Sequence, residues 1–281
     1  MSATGRSPLL SVWLLLGYTF LYAPIVILIV FSFNESKLVT VWAGFSTKWY
    51  WELFQDRQML MAAWLSLRLA LMSATSAAAL GVLAGLVMAR FGRFRGHNLF
   101  ASMITAPLVM PEVITGLSML LLFVSMEKLI GWPSGRGMFT LWIAHVTFCA
   151  AFVAVVITSR LREMDESIEE AAMDLGAPPF KVFTAITLPI IMPAVAAGWL
   201  LAFTLSLDDL VISSFVAGPG ATTLPMKVFS SVRLGVSPKI NALATILVLF
   251  VSLCAAGAGI LMFRAEKRRK LEIQAAMRDT A

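Results

Sequence analysis

The chain has 281 residues, is 59% hydrophobic and only 14% charged, and has a mean hydropathy of +0.85. Soluble domains carry about 45–50% apolar and about 25% charged residues, so one soluble core could not hide this much apolar surface. The net charge of +6 does not point to nucleic acid, because Lys and Arg sit in short runs beside apolar stretches, where they orient helices in a membrane.

A helix needs about 20 apolar residues to cross the hydrocarbon, and six stretches qualify, at about 10–33, 61–89, 99–126, 138–158, 190–214 and 240–263. The sequence therefore predicts an all-α, polytopic membrane protein with six transmembrane helices in a single transmembrane domain spanning 1–281. Arg6 precedes the first stretch, which is too long for a signal-peptide core and is followed by no small-residue cleavage site, so it reads as a retained first helix. One set of span ends carries Arg6, then Arg90, Arg93 and Arg95, then Arg160, Arg162 and Lys181, then Arg264, Lys267, Arg268, Arg269, Lys270 and Arg278. The other set is sparser, so the first is cytoplasmic and both termini are inside. After the first span, Ser46 or Thr47 is placed to cap a short helix, and Trp49, Tyr50 and Trp51 suit the outer interface.

The second span contains Gly81, Gly85 and the run Ala77-Ala78-Ala79, small residues of the kind that let helices approach closely. The third contains Pro107 and Pro111, which predict a kink or break beside Glu112. His97 and His145 lack metal spacing, and Cys149 and Cys254 read as small hydrophobes inside apolar segments. The expectation is no metal and no cofactor.

The stretch 159–189 differs from everything around it. Glu163, Asp165, Glu166, Glu169, Glu170 and Asp174 alternate with Ile168, Ala171, Ala172 and Leu175 at helical spacing. Asp165 or Ser167 is placed to cap the start, Gly176 sits where a left-handed terminal residue belongs, and Pro178-Pro179 forbids continuation. A short helix with a sharp stop is predicted outside the membrane. Its acidic face would be repelled by anionic lipid headgroups, and its Ala171-Ala172 step suits close approach to a protein surface. The loop 215–239 carries turn chemistry at Gly218-Pro219-Gly220.

The pattern Glu170-Ala171-Ala172, three residues, Gly176, nine residues, Ile186, one residue, Leu188-Pro189 resembles the EAA loop of permease subunits of type I ABC importers. The six-span order, the outer Trp-Tyr segment and the run from Leu205 to Asp209 resemble the polyamine (putrescine/spermidine) branch. The resemblance implies a coupling helix, with Glu169, Glu170, Ala171, Ala172, Asp174, Gly176, Ile186, Leu188 and Pro189 at the contact with a separate ATPase. It also implies two ATP-binding subunits, a second homologous permease subunit, a periplasmic substrate-binding protein and a place in the bacterial inner membrane. The chain has no G-x-x-x-x-G-K-[ST] loop, so ATP would be bound by another chain and this subunit would carry no ATPase site of its own.

Ionisable groups inside spans mark a pathway or a pair. At 1.5 Å per residue, Arg68 and Asp208 both lie roughly 10 Å from the outer ends of their spans, so an ion pair between them is geometrically open. Asp208 and Asp209 point about 100° apart on a helix, so one would pair with a base or cap a break while the other faces a cavity. For Glu112 two readings stand, satisfaction of amides freed at the break or a place on a cation path. Asp208, Asp209 and Glu112 together form the candidate substrate pathway, which suits a cationic cargo such as a diamine. The alternatives are an ABC permease for another small cationic solute and a proton-coupled secondary transporter using the same acids as relays. The latter leaves the acidic inner helix unexplained. A membrane enzyme would need a nucleophile or metal cluster, and the sequence offers none.

Overall fold

The computed structural model describes residues 8–38, 41–92, 94–235, 237–253, 256–257 and 260. Arg6, Arg93, Cys254, the basic run from Arg264 to Arg278 and most of the last ten residues of the sixth expected span lie outside the described residues. The described part is all-α. Its helices are α1 (Pro8–Ser32), α2 (Lys48–Gln55), α3 (Arg57–Arg90), α4 (His97–Val109), α5 (Glu112–Ile130), α6 (Met138–Glu163), α7 (Ser167–Asp174) and α8 (Pro179–Val182). A π-helical turn (Phe183–Thr187) then leads into α9 (Leu188–Asp208), followed by α10 (Val211–Val216) and α11 (Leu224–Leu234). A last apolar helix, α12, covers Pro238–Leu253. Among the described residues, five helical stretches are long and apolar enough to cross a membrane: Leu9–Ser32, Arg57–Arg90, Glu112–Ile130, Met138–Glu163 and Pro179–Asp208.

Two expectations need correction, and a third takes its sharper form. The kink or break expected within 99–126 is a full break into two helices, because Met110 is extended (ψ 134°) and Pro111 begins a new helix instead of continuing the old one. The freed groups are met locally: the Met110 amide donates to the Ala106 carbonyl, and the Pro111 carbonyl accepts from the amides of Ile114 and Thr115. The span expected at 190–214 starts earlier, at Pro179, where proline is pre-set for a first turn, and ends at Asp208. It passes through one π turn immediately before Pro189, and the Leu188 amide reaches back five residues to Phe183. A proline ring collides with the carbonyl four residues earlier, and the wider turn relieves that collision without breaking the helix. The segment 224–234, expected as loop, is helical, with Pro225 in its first turn and the Leu224 amide donating to Ser66 Oγ (2.7 Å).

The chain divides into two compact units, Met1–Arg57 with Ser231–Ala281, and Gln58–Ser230. The first is organised locally by Asn34, which is fully buried. Its amide donates to the Val41 carbonyl (2.7 Å), its oxygen accepts from the Ala43 amide (3.0 Å), and its carbonyl accepts from the Trp49 indole (2.6 Å). Ser46 Oγ accepts from the Lys48 amide just before α2 (3.3 Å), while the Thr47 side chain makes no cap. Trp49 and Leu53 are buried, and Trp51 and Phe54 are exposed on the other face of α2.

The second unit is built around α6. Leu141, Ala144, Cys149, Val153, Ala154, Ile157 and Leu161 are all completely buried. Small residues of the neighbours meet this column. A Cβ at Gly81 of α3 would stand 2.6 Å from Val153, one at Gly85 would stand 2.7 Å from Ile157, and one at Gly198 of α9 would stand 3.1 Å from Val153. Lipid is as apolar as leucine, so helix association in a bilayer rests on close packing of this kind. α9 and α3 are also joined by the Trp199 indole, which donates to Thr75 Oγ1 at 3.2 Å.

Gly81→Val is expected to overpack this seam by about 1–3 kcal/mol. It should lower the thermal unfolding temperature of the detergent-solubilised protein, and Val153→Ala in the same chain should recover part of the loss. An unchanged melting curve for Gly81→Val would contradict the packing.

Candidate functional site

The first candidate region is the α6–α9 connection. α7 has no buried residue, and eight residues are too few for an isolated helix to be stable in water. Its order comes from both ends. At the start, Asp165 Oδ1 accepts from the Ser167 amide (3.0 Å). Hydrogen bonds from the Ser167 amide and then its side chain hold the Asp165 carboxyl below its ordinary range. At the finish, Gly176 has φ +85°. Its amide reaches the Met173 carbonyl (2.9 Å), and that of Ala177 reaches the Ala172 carbonyl (3.1 Å). These two bonds are the paired closure of a left-handed C-terminal cap.

The middle of α7 is held by Glu169. Its Oε2 accepts from Arg90 Nε at the end of α3 (2.7 Å), and its Oε1 accepts from Thr187 Oγ1 in the π turn (2.5 Å). The same guanidinium donates to Glu166 Oε1 (3.1 Å) and to the Met164 carbonyl (3.4 Å). Both Arg90 and Glu169 side chains are only 12% exposed, whereas Glu166 is 63% exposed. Partial burial costs each charge desolvation, but the short charge-assisted bonds and the second acceptor contact to Thr187 offset it. The Glu166 arm, in solvent, adds little. One carboxylate thus ties α7 to both α3 and the base of α9.

Of the residues expected at the ATPase contact, Glu170, Ala171, Asp174, Gly176 and Pro189 are exposed, Glu169, Ala172, Ile186 and Leu188 are half-buried, and the apolar Leu175 and Phe180 stand 90% and 79% exposed. Glu169 therefore faces inward to its own subunit while Glu170 faces out. By charge placement alone Arg90 is one of the orienting cations, and nothing in the local sequence marks Thr187. The available signal was a base at the end of one span opposite acids three residues apart, at 166 and 169.

The second region is the end of α9. Asp208 closes the helix and Asp209 is extended (φ −61°, ψ 122°). Asp209 turns back to cap α10, accepting from the Ile212 amide (3.2 Å) and the Ser213 amide (2.7 Å). Its carboxylate lies 3.3 Å from Nε2 of His145 on α6, and the two side chains are 5% and 1% exposed. The imidazole also meets Ser206 Oγ through Nδ1 (2.7 Å) and Ser213 Oγ through Nε2 (3.0 Å). At the far end of α10, the Val216 carbonyl accepts from Thr140 Oγ1 (2.9 Å) and the Phe215 carbonyl from Arg136 (3.2 Å). α10 packs against Gly116 of α5, where a Cβ would stand 2.8 Å from Phe215.

The three acids therefore separate. Asp209 is buried and engaged. Asp208 and Glu112 are exposed, and neither forms an ion pair or a side-chain hydrogen bond with another described residue. Arg68 is also exposed, and the ion pair with Asp208 that spacing left open does not form among the described residues. Arg68 instead lines a cavity of about 700 Å³ with Gln58, Trp64, Met226 and Lys227. Glu112 caps no amide, since the break before it is closed by backbone groups.

Membrane-length helices and a connecting helix tethered between them are the architecture of a polytopic membrane protein. The chain belongs to the family described as the inner membrane component of binding-protein-dependent transport systems, whose model matches residues 81–271. It is 67% identical over 273 residues to the putrescine transport system permease protein PotI of Escherichia coli (strain K12), covering 97% of each chain. To the spermidine/putrescine transport system permease protein PotC of the same strain it is 46% identical over 230 residues, covering 82% of this chain and 84% of that one. Among solved structures it resembles a bacterial ABC transporter involved in import of the acidic polysaccharide alginate. That match has a TM-score of 0.69 at 15% identity, over 92% of this chain and 98% of the other, a likeness of fold.

A double-mutant cycle on Arg90→Ala and Glu169→Ala should give a coupling energy of about 1–3 kcal/mol, read from thermal unfolding of the purified protein. Strict additivity would show that the clamp contributes nothing.

Proposed function

We propose that this chain is the membrane-spanning subunit of an ATP-driven importer that moves a polyamine, putrescine foremost, into the cytoplasm. The observation that carries the reading is the 67% identity to the putrescine permease, which runs through 97% of both chains. In this reading the two compact units work as one permease domain in the inner membrane with both termini cytoplasmic. The partners are two ATP-binding subunits, a second homologous permease and a periplasmic substrate-binding protein. This subunit carries no ATPase chemistry itself.

α7 is the coupling helix. Glu170, Ala171, Ala172 and Asp174 meet the ATPase, with Gly176 ending the helix. Glu169 transmits displacement through Arg90 to α3 and through Thr187 to the base of α9, where Ile186, Leu188 and Pro189 lie. A helix tied at two points moves as a body, which a free loop cannot do. Asp208 and Glu112 lie on the cargo's path, where each carboxylate replaces water lost by an ammonium group. Asp209 supports the path by shaping the break beside it.

Glu170→Lys and Gly176→Val are each expected to leave membrane abundance normal and to abolish uptake and transport-linked ATP hydrolysis. The first reverses a charge at the contact, and the second strains a residue at positive φ. Full transport by both would remove the coupling assignment.

The cargo is tested by uptake of labelled putrescine into cells lacking other polyamine importers. Deleting this chain should abolish saturable uptake. Asp208→Asn should lower it by about ten- to a hundredfold, the kinetic equivalent of about 1–3 kcal/mol for one lost charged partner, with the assembled complex still present. Unchanged uptake in the deletion strain would overturn the reading.

A further inference from the structure

We infer that His145 is a positioning residue of the cation path: by holding Asp209 and Ser206 on either side of Asp208, it fixes the break that ends α9 and the direction in which Asp208 is presented. The inference rests on the proposal that Asp208 accepts an ammonium group of the cargo.

Ser206 and Asp208 belong to the last turn of α9, and Ser213 lies in the first turn of α10. One imidazole reaches both sides of the break, with Nδ1 at 2.7 Å from Ser206 Oγ and Nε2 at 3.0 Å from Ser213 Oγ and 3.3 Å from Asp209 Oδ2. The two ring nitrogens hydrogen-bond the Ser206 and Ser213 hydroxyls, and the same ring stands beside the Asp209 carboxylate, which can only accept. His145, Ser206 and Ser213 are 2%, 3% and 0% exposed, so solvent does not stand in for any of these bonds. Adjacent residues of a continuous helix point about 100° apart. Here the chain leaves the helix at Asp209, so the bearing of Asp208 is set by how firmly its neighbour is held. With the ring removed, the Asp209 carboxylate loses the polar neighbour beside it and two buried hydroxyls lose a partner, all of which penalise the present break. The relief open to Asp209 is to turn out of its pocket, and this rotates the end of α9 and Asp208 with it.

The test reads the position of residue 208 directly. Asp208→Cys is introduced with Cys149→Ala and Cys254→Ala, and labelling by a cationic methanethiosulfonate reagent is timed in membranes containing the assembled complex. Adding His145→Ala should change the labelling rate by about tenfold, the scale on which small displacements alter reactivity, and His145→Gln, which keeps an amide at the Nε2 position, should restore it. In the chain with Asp208 intact, His145→Ala should lower putrescine uptake and His145→Gln should recover it. Labelling unchanged by His145→Ala overturns the inference. If His145→Ala fails to accumulate, His145→Gln and His145→Asn decide: the first reaches Asp209 and the second only Ser206. Different labelling rates for these two support positioning, and equal rates overturn it. Failure of the cargo reading looks different, because Asp208→Asn would then transport normally whatever the labelling shows.

Discussion

Hydrocarbon offers no hydrogen-bond partner, so every interruption of a helix within a bilayer has to be satisfied by the protein itself. This constraint accounts for the polar side chains gathered at the break between α9 and α10. The break after Asp208 exposes the first amides of α10 and the last carbonyls before Ala217, and the chain answers each: Asp209 takes the amides of Ile212 and Ser213, while Thr140 and Arg136 donate to the carbonyls of Val216 and Phe215. The Asp209 side chain is in turn buried, and the His145 imidazole stands 3.3 Å from its carboxylate. The break before Glu112 is shorter and closes with backbone groups alone. Glu112 thereby has no side-chain partner among the described residues, a distinction between the acids that rests on helix termination more than on charge.

α6 can serve these breaks because it is the column on which the unit is assembled. Val153 and Ile157 lie against glycines of α3, and Val153 also against Gly198 of α9. These glycines leave no room for a larger side chain between the helices. A displacement of α6 relative to α3 or α9 collides before it slides, since packed interiors deform little. The same rigidity reaches the α6–α9 connection, where Arg90 is the last residue of α3 and Thr187 the last of the π turn. Both converge on Glu169, so α7 is anchored to two elements of one packed body, while the apolar Leu175 just past its end and Phe180 of α8 stand exposed.

Much of this was legible in the residues. Apolar length located the membrane-length helices, because a bilayer sets a minimum span that composition reveals, but not their starts: the third begins at Glu112 instead of 99 and the fifth at Pro179 instead of 190. The acid-rich stretch with Gly176 and Pro178-Pro179 located α7 and its stop, since only glycine occupies φ +85° without strain. Prolines at 107 and 111 flagged the broken third stretch. The π turn before Pro189 and the helical segment 224–234 were not legible. The first needs the geometry of a proline accommodated within a continuing helix, and the second depends on an amide captured by Ser66, distant in sequence.

The sequence by itself determined the class of protein, the approximate spans and the connecting helix, all of which follow from local pattern: apolar run length, charge placement and turn chemistry. Only the tertiary structure decided what each intramembrane charge does. Asp208 and Asp209 are indistinguishable as neighbouring letters, yet one ends a helix in the open and the other is buried against His145, 64 positions earlier in the sequence. Arg90 and Glu169 likewise lie 79 residues apart. A carboxylate's role is fixed by which donors stand within about 3 Å of it, and that is set by how distant helices pack.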